Sequence, residues 1–434
     1  MADTIFAQAT TPGRAGIAVV RISGPRAFEA SVALGAAPGA ARAARLRWLV
    51  DPASGEPLDQ ALVLAFAGPA SFTGEDVVEL QLHGSPAVVR AVLAALAARP
   101  GLRAAEPGEF TRRALSNDRL DLAQVEGLGD LLAAETAAQR RQAVALMRGA
   151  LSGLAEGWRG EILRVLAFVE ATIDFADEEL PSDLLARLVG DLSATVARIE
   201  AEVSRGRIAE RIRDGFEVAL VGRPNVGKST LLNALAGRDA ALTSAVAGTT
   251  RDVLEVRADL RGLALTLLDT AGLRESGDPV ERLGVARARE RAGAADLRVF
   301  LVDDPEDTDG LGVAVMPGDL VVVSKADVRG PMEVLAVSGI TGQGMDELLG
   351  AVGAALEGRA AGAGSLSHER QRRAAVSAGA AAAAALAELG RPEPRVELAA
   401  EELRRALREL DFLDGKADVE AVLDVIFASF CLGK

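Results

Sequence analysis

The sequence predicts a multidomain protein that combines α+β, helical and α/β architecture. Up to about residue 117, short β-type runs alternate with turns marked by glycine and proline. Helical periodicity follows from about 120 to 208 and returns from 365 to 434, and strand-like and helix-like runs alternate between these segments. The length of 434 residues exceeds the usual size of one hydrophobic core, which fits this division into several domains.

The composition excludes several classes of protein. Hydrophobic residues make up 49% of the chain and charged residues 25%, without a long apolar run, which predicts a soluble protein with no membrane span. No leader-like segment precedes the first strand, and one cysteine excludes an internal disulfide, so we expect a cytoplasmic protein. The net charge of −14 argues against binding nucleic acid over the whole surface. If the protein acts on RNA, we expect a basic partner to do much of the holding.

The domain boundaries follow from these changes of pattern. An N-terminal α+β domain spans residues 1–117, with strands within 16–22, 62–66 and 77–82 and a helix over 86–98. Helical segments over 118–210 and 359–434 flank an α/β domain over 211–358, with strands at 216–221, 263–268, 297–302, 320–323 and 334–337. Because the ends of a compact domain often lie close together, we interpret the α/β domain as an insertion into a helical domain.

The most informative stretch is residues 222–229, which lies between a strand-like run and a helix-like run. Its glycines allow backbone N–H groups to surround phosphates, and the following helix N-terminus adds partial positive charge. In this pattern the Lys228 amine contacts the outer phosphates and the Ser229 hydroxyl binds Mg²⁺. The strand, loop and helix therefore predict a phosphate-binding loop.

Two further motifs predict the part of the site that responds to the γ-phosphate. In residues 248–252 a threonine can complete the Mg²⁺ shell, and of the two candidates we favour Thr250 over Thr249. Asp269 closes a strand and supports the metal, and the Gly272 amide can contact the γ-phosphate. The predicted magnesium ligands are thus Ser229 and Thr250.

The later strand ends carry the residues that would bind the base. The Asp327 carboxylate can pair with the N–H groups of guanine, the Lys325 stem can cover the ring, and Ser338 lies beside the base. The order of these motifs predicts a Ras-like P-loop GTPase domain, a parallel sheet with helices on both faces. The predicted GTP-binding residues are Asn225, Val226, Gly227, Lys228, Ser229, Thr230, Thr249, Thr250, Asp269, Gly272, Ser324, Lys325, Asp327 and Ser338.

Two positions depart from the usual GTPase pattern. Ser324 stands where asparagine is common, which predicts weaker guanine binding, while Asp327 retains the discrimination against adenine. Leu273 occupies the place of the glutamine that orients the attacking water in Ras-like enzymes. Another residue must take that role, with Asp278 and Glu281 as the nearby candidates. An oxygen of Asn225 can bind a cation that replaces an arginine finger.

Seven segments together resemble one family closely, the MnmE (TrmE) family of tRNA-modification GTPases. They are residues 3–10, 20–24, 72–80, 107–111, 117–124, 173–175 and the terminal 430–434. The resemblance covers essentially the whole chain, and the closing Cys-Leu-Gly-Lys is its most specific mark. A phosphate-binding loop alone is far less discriminating.

The resemblance implies a specific reaction. Members of the family act with an FAD-containing partner, MnmG (GidA), in a heterotetramer and build an aminomethyl or carboxymethylaminomethyl group at the 5-position of the tRNA wobble uridine. The carbon comes from a tetrahydrofolate derivative, in its 5,10-methylene or 5-formyl form, held by the N-terminal domain. The matching folate-binding positions are Arg21, Glu79, Arg119 and Lys434, with Arg119 in place of the common lysine.

The resemblance also implies how GTP is hydrolysed. It gives Glu281 the role of orienting water, assigns a K⁺ to Asn225 and predicts that residues 238–247 cover this ion when two GTPase domains meet. The N-terminal domains would hold a constitutive homodimer. Cys431 lies in a helical apolar stripe, where the residues alone favour a small buried hydrophobe. Its position in the family points instead to a catalytic role near the folate and the uridine.

Two alternatives remain open. A ribosome-assembly or regulatory GTPase acting as a binding switch would carry the same phosphate motifs, but it would need neither the folate-like domain nor the terminal motif. The second alternative is a member of the family that binds nucleotide weakly because Ser324 replaces the usual asparagine.

Overall fold

The structure is a computed structural model that describes residues 3–174, 182–236, 255–269, 289–309, 311, 313–329, 332–415, 426–427 and 433, without the side chains of 182–185. The chain forms two compact units. The N-terminal unit comprises Met1–Gly129 with Asp411–Lys434, and the central unit comprises Asp130–Leu410. The domain boundaries placed after residues 117, 210 and 358 stay predictions.

The N-terminal unit is built on a six-stranded sheet. Its elements are β1 (Thr4–Gln8), β2 (Ile17–Ser23), α1 (Ala27–Ala33), β3 (Arg45–Val50), β4 (Pro57–Phe66), β5 (Val77–His83), α2 (Pro86–Ala97), β6 (Leu102–Ala104), α3 (Glu109–Ser116) and the start of α4 (Leu122–Ala133). The strand order is β3-β4-β5-β2-β1-β6, in which only β1 and β6 pair in parallel. The strands β2, β4 and β5 and the helix α2 were predicted, and β1, β3 and β6 are additional.

The core of this unit lies on one face of the sheet. Val20 and Ile22 of β2 are fully buried there, because alternate residues of a strand point to the same face. Helix α2 covers this face with Val92 and Leu96, one helical turn apart. Arg21 lies between the two buried β2 residues, so its side chain projects from the opposite face.

The central unit contains long helices around a second sheet. The helices are α5 (Ala137–Met147), α6 (Ala150–Asp174), α7 (Ser182–Asp214), α10 (Glu369–Leu389) and α11 (Val396–Asp414). Helix α6 buries Ile162, Leu166 and Val169 along one face. In α10 the alanine-rich run packs closely on α7: a Cβ on Gly379 would lie 3.0 Å from Cγ2 of Ile199, so only small residues fit between the helices.

The second sheet carries the phosphate-binding loop. Its elements are β7 (Phe216–Val221), α8 (Lys228–Ala236), β8 (Glu255–Leu260), β9 (Leu263–Asp269), β10 (Leu297–Val302), β11 (Leu320–Ser324), β12 (Ala336–Val337) and α9 (Met345–Ala360). The strand order is β12-β11-β10-β7-β9-β8. The neighbours from β12 to β9 pair in parallel, whereas β8 pairs antiparallel to β9. The five predicted strands thus pair in parallel, and β8, which was not predicted, adds an antiparallel edge through a tight turn to β9.

Both faces of this sheet are covered. Val218 and Leu220 of β7 pack into a core with α8 and α9, while Ala219 and Val221 pack into a second core on the other side. The runs of consecutive buried residues in β7 and β10 follow from this double coverage. The structure thus confirms the predicted fold class. In the described part of the chain, no helix is both long and apolar enough to cross a bilayer.

Candidate nucleotide-binding site

The phosphate-binding loop joins the carboxyl end of β7 to the N-terminus of α8. Asn225 and Gly227 adopt positive φ angles of 62° and 112°, which turn the chain back toward the helix. Gly222 must be glycine here, since a Cβ would lie 2.4 Å from the carbonyl oxygen of Leu301. The loop consequently surrounds a space that opens at the helix N-terminus, the geometry that binds anions.

Lys228 occupies the centre of this loop. Its Nζ donates to the carbonyl oxygens of Gly222 at 2.7 Å and Arg223 at 3.1 Å, and the residue is only 6% exposed. Burial lowers the pKa of Lys228, and the nearby charge of Asp269 opposes that shift. An anion within the loop would stabilise the protonated amine that burial disfavours.

Ser229 and Asp269, both predicted to lie at a magnesium site, are in direct contact. The Ser229 hydroxyl donates to Oδ2 of Asp269 at 2.8 Å. Parallel pairing of β7 and β9 places Asp269 opposite Leu220, which brings the strand end to the loop. Asp269 is 5% exposed, and its Oδ1 has no hydrogen-bond partner among the described residues. A hydroxyl beside an unpaired carboxylate oxygen fits the hard oxygen ligands that Mg²⁺ takes.

A cavity of about 270 Å³ adjoins the loop. Several predicted binding residues line it, namely Asn225, Val226, Gly227, Thr230, Ser324, Lys325, Asp327 and Ser338. Lys325 adopts a left-handed conformation with φ 57° at the end of β11, and its Nζ lies 3.3 Å from Oδ1 of Asp303. The structure therefore brings the predicted phosphate-binding and base-binding residues to one cavity.

Ser338 and Gly339 shape one wall of this cavity. The Ser338 hydroxyl accepts the backbone N–H groups of Ile340 and Thr341, both at 3.2 Å. A Cβ on Gly339 would lie 2.9 Å from the backbone nitrogen of Leu231. Glycine is thus the residue that this close approach of the wall to α8 requires.

Asp303 is a residue that the sequence reasoning missed. It follows β10 directly, and its Oδ1 contacts both Lys325 and, at 2.9 Å, the Arg329 guanidinium. Its position at the carboxyl end of a parallel strand was the available signal, because such strand ends converge on the ligand. The predicted Thr249, Thr250, Gly272, Glu281 and the alternative Asp278 lie outside the described residues, as do residues 238–247.

The N-terminal unit brings together two of the predicted folate-binding residues. Arg21 of β2 and Glu79 of β5 are directly opposite in the antiparallel register. The Nε and one terminal nitrogen of Arg21 donate to Oε1 of Glu79 at 3.0 and 2.9 Å. Another terminal nitrogen donates to the carbonyl oxygen of Gly433 at 3.3 Å, which joins the C-terminal segment to the sheet.

Two aromatic rings flank the same arginine. The guanidinium carbon of Arg21 lies 5.4 Å from the ring centre of Phe72 and 5.7 Å from that of Phe110, within the range of cation–π attraction. Both rings lie in segments that resemble the family, but the sequence predicted no role for either ring. They hold the guanidinium in place beside Glu79.

Arg119, the third predicted folate-binding residue, is exposed on a neighbouring loop. Its Cγ lies 3.3 Å from where a Cβ on Gly74 would stand, and the amide of Asn117 donates to the Thr73 carbonyl oxygen at 2.6 Å. Two of the segments that carry the family resemblance therefore contact each other. The predicted Cys431 and Lys434 lie outside the described residues.

Comparison with known proteins identifies the family. The family model described as "GTP-binding protein TrmE N-terminus" matches residues 4–119, and that described as "MnmE helical domain" matches residues 122–431. Proteins named tRNA modification GTPase MnmE from Cereibacter sphaeroides and Ruegeria pomeroyi are 57% and 55% identical over 432 residues, with 100% of each chain covered.

Solved structures give a much weaker likeness. The structure of Era from Aquifex aeolicus bound to GDP and AlF4⁻ is 29% identical over 32% of this chain and 56% of that one, with a TM-score of 0.26. That score is too low to inform the fold. The full-length identity and the two matching family models instead show that the chain belongs to the MnmE (TrmE) family.

Proposed function

We propose that this chain hydrolyses GTP and couples hydrolysis to modification of the tRNA wobble uridine. Two findings together carry the proposal. The full-length relatives are named tRNA modification GTPase, and the phosphate-binding loop contacts Asp269, whose Oδ1 has no hydrogen-bond partner among the described residues. With an FAD-containing MnmG partner, the chain would install an aminomethyl or carboxymethylaminomethyl group at the 5-position. A tetrahydrofolate derivative would supply the carbon.

The central unit supplies the groups that bind and polarise GTP. Lys228 would exchange its two carbonyl contacts for phosphate oxygens, and backbone N–H groups of residues 225–230 would surround the remaining charge. Ser229 and Asp269, with Thr250, would hold Mg²⁺, which when bound neutralises charge on the β- and γ-phosphates. Glu281 would orient the attacking water.

K⁺ is the proposed substitute for an arginine finger, with Asn225 as its ligand. The φ of 62° at Asn225 allows a clean test, because glycine adopts the same backbone without strain. Hydrolysis by the wild type should be faster in KCl than in NaCl at equal ionic strength. Asn225→Gly should abolish the difference, and a retained difference would remove Asn225 from the potassium site.

The N-terminal unit is the proposed tetrahydrofolate site. The Glu79 carboxylate suits the donors on a pterin edge, while Arg21, Arg119 and Lys434 suit the carboxylates of the glutamate tail. Arg21 and Glu79 already form hydrogen bonds with each other, so a ligand that binds one of them also alters the hydrogen bonds of the other. Cys431 would act on the uridine from the terminal segment.

The proposed partners fit the charge of the chain. Because this chain has a net charge of −14, it would repel the phosphates of tRNA, and the MnmG subunits would make much of the contact with tRNA. The complex would be a heterotetramer built on a homodimer of this chain. The proposed place of action is the cytoplasm.

Nucleoside mass spectrometry tests the proposal. A strain without this gene should lose the modified wobble uridine, and wild-type protein should restore it. Asp269→Ala should fail to restore it if hydrolysis is required, and Cys431→Ser should fail if the thiol takes part. An exposed control, Asp309→Asn, should restore it fully. Unchanged wobble uridine in the deletion strain would contradict the proposal and favour a binding switch.

A further inference from the structure

The two rings that flank Arg21 belong to separate segments of the N-terminal unit. Phe110 lies in α3 and is fully buried in a cluster with Ile5, so close packing fixes its position. Phe72 lies in the 67–76 loop between β4 and β5 and is half-buried at the edge of the same cluster. The position of this second ring therefore depends on the contacts that hold its loop.

The Glu75 carboxylate joins the loop to two neighbouring segments. Its Oε2 accepts from the hydroxyl of Ser23 at 2.7 Å, and Ser23 lies in β2, two residues beyond Arg21. Both oxygens of Glu75 also accept from the guanidinium of Arg113 at 3.1 Å. Arg113 lies in α3, about one helical turn beyond Phe110. One carboxylate thus connects the three segments that carry Arg21 and its two rings.

The neighbours of Phe72 in the loop are bonded to the same group of residues. The Thr73 hydroxyl lies 2.7 Å from that of Ser23, and the Ser71 hydroxyl donates to the carbonyl oxygen of Glu75 at 2.5 Å. Ser71 and Thr73 are both buried, on either side of the half-exposed ring. A displacement of Glu75 would therefore displace the backbone that carries Phe72.

A second arginine of this unit provides the comparison. The guanidinium groups of Arg113 and Arg103 both bond to the carboxylates of Asp3 and Glu109. Within the described residues, Arg113 adds the contact to Glu75 and Arg103 does not. The two arginines therefore share their acidic partners on β1 and α3 and differ in their contact with the loop.

We propose that the Glu75–Arg113 pair positions the Arg21 guanidinium for its ligand by fixing the rings on either side of it. This inference rests on the proposed function, because it requires a tetrahydrofolate derivative at Arg21 and Glu79. The pair acts through the rings and does not touch the ligand, so both members are positioning residues. A binding site must hold its groups to within about 0.5 Å, and a displaced ring would let the guanidinium turn away from the ligand.

Isothermal titration calorimetry of the full-length chain with 5-formyltetrahydrofolate tests the inference, with the melting temperature of each variant measured alongside. Arg113→Lys should weaken binding about 3- to 10-fold, the range of one hydrogen bond, because an ammonium group cannot replace the planar fork that spans loop and helix. Glu75→Gln, which keeps the shape of the side chain, should weaken binding by a similar factor. Arg103→Lys is the matched control: its melting temperature should fall, but its affinity should equal that of the wild type.

A double-mutant cycle shows whether the pair acts through the ring of Phe72. In a Phe72→Leu background, Arg113→Lys should change the affinity by less than about twofold, because no ring remains to be positioned. The full loss in that background, an equal loss in Arg103→Lys, or wild-type affinity in either variant of the pair would overturn the inference, while binding by the wild type still supports the proposed site. Failure of the wild type to bind the folate would overturn both.

Discussion

The two candidate sites of the molecule differ in how their polar groups are satisfied. In the nucleotide site, Oδ1 of Asp269 and Oγ of Ser324 are buried without hydrogen-bond partners among the described residues. In the N-terminal unit, Arg21 and Glu79 bond to each other, and Arg21 also bonds to Gly433. The proposed nucleotide site therefore leaves buried polar atoms for a ligand to bond, whereas the polar groups of the proposed folate site already bond to each other.

This difference predicts different responses to mutation. Removing an unpaired buried group removes a cost of about 1–3 kcal/mol from the ligand-free protein, so binding suffers while stability rises. Removing one member of the Arg21–Glu79 pair leaves the other with fewer partners, so binding and stability fall together.

Asp269→Ala should reduce the rate of GTP hydrolysis by about 100-fold, the usual effect of removing one electrostatic group from a phosphoryl-transfer site. The cause is loss of the carboxylate that holds Ser229 and supports Mg²⁺. Phosphate release under single-turnover conditions measures it. Asp309→Asn, an exposed aspartate of the same unit, should match the wild type, and a loss below threefold in Asp269→Ala would contradict the assignment.

Glu79→Gln should weaken binding of 5-formyltetrahydrofolate by about 10-fold, because a charge-assisted hydrogen bond contributes about 1.5 kcal/mol. Fluorescence titration of the ligand against the full-length chain measures the affinity. Glu56→Gln changes an exposed glutamate of the same unit and serves as the control. Equal affinities of the two variants would place the folate elsewhere.

Lys228→Met should abolish nucleotide binding and yet stabilise the ligand-free loop by about 1 kcal/mol. Burial lowers the pKa of Lys228 below its unfolded value, so the protonated amine costs stability below the folded pKa. This cost shrinks as pH rises past the folded pKa and is gone above the unfolded pKa. Hydrogen exchange of the β7 and α8 amides measures the change. Faster exchange in the variant would show that the two carbonyl contacts outweigh burial.

Glu109→Gln should make the N-terminal unit less sensitive to acid. Burial disfavours the Glu109 carboxylate, but donation from Arg103, the Glu106 N–H and Arg113 outweighs it and lowers the pKa. The stability from ionised Glu109 is therefore present above the unfolded pKa and is lost as pH falls through the folded pKa. The variant should be less stable at pH 7 by about 1–2 kcal/mol and lose less on acidification.

The two tryptophans make this acid titration specific. Trp48 lies in β3 of the N-terminal unit and Trp158 in α6 of the central unit. In a Trp158→Phe background, fluorescence reports the N-terminal unit alone. Parallel acid curves with and without Glu109→Gln would contradict the role of this carboxylate.

The two sites also differ in how far the sequence predicted them. Residues 222–229 are contiguous and end a strand, so local chemistry identified Lys228 and Ser229, and parallel pairing brought Asp269 to them. The strand β8 was missed because it is a half-exposed edge strand that mixes charged and apolar residues. A site can therefore be predicted from short sequence motifs when its residues lie at the ends of strands.

The contacts of Arg21 could not be predicted from short sequence motifs. Its hydrogen bond to Gly433 spans 412 residues, and the rings of Phe72 and Phe110 reach it from two separate segments. The resemblance to the family identified Arg21 and Glu79, but no spacing rule predicted their pairing. Long-range packing determines that arrangement, and only the fold reveals it.

Local stability of the ligand-free chain tests the contrast between the two sites most directly. Hydrogen exchange with mass spectrometry should be followed in β11 for Ser324→Ala and in β2 for Glu79→Gln, each against the wild type. The account predicts slower exchange in β11, where an unpaired hydroxyl is removed, and faster exchange in β2, where a bonded carboxylate is lost. Faster exchange in both strands would contradict it, because the Ser324 hydroxyl would then be satisfied before any nucleotide binds.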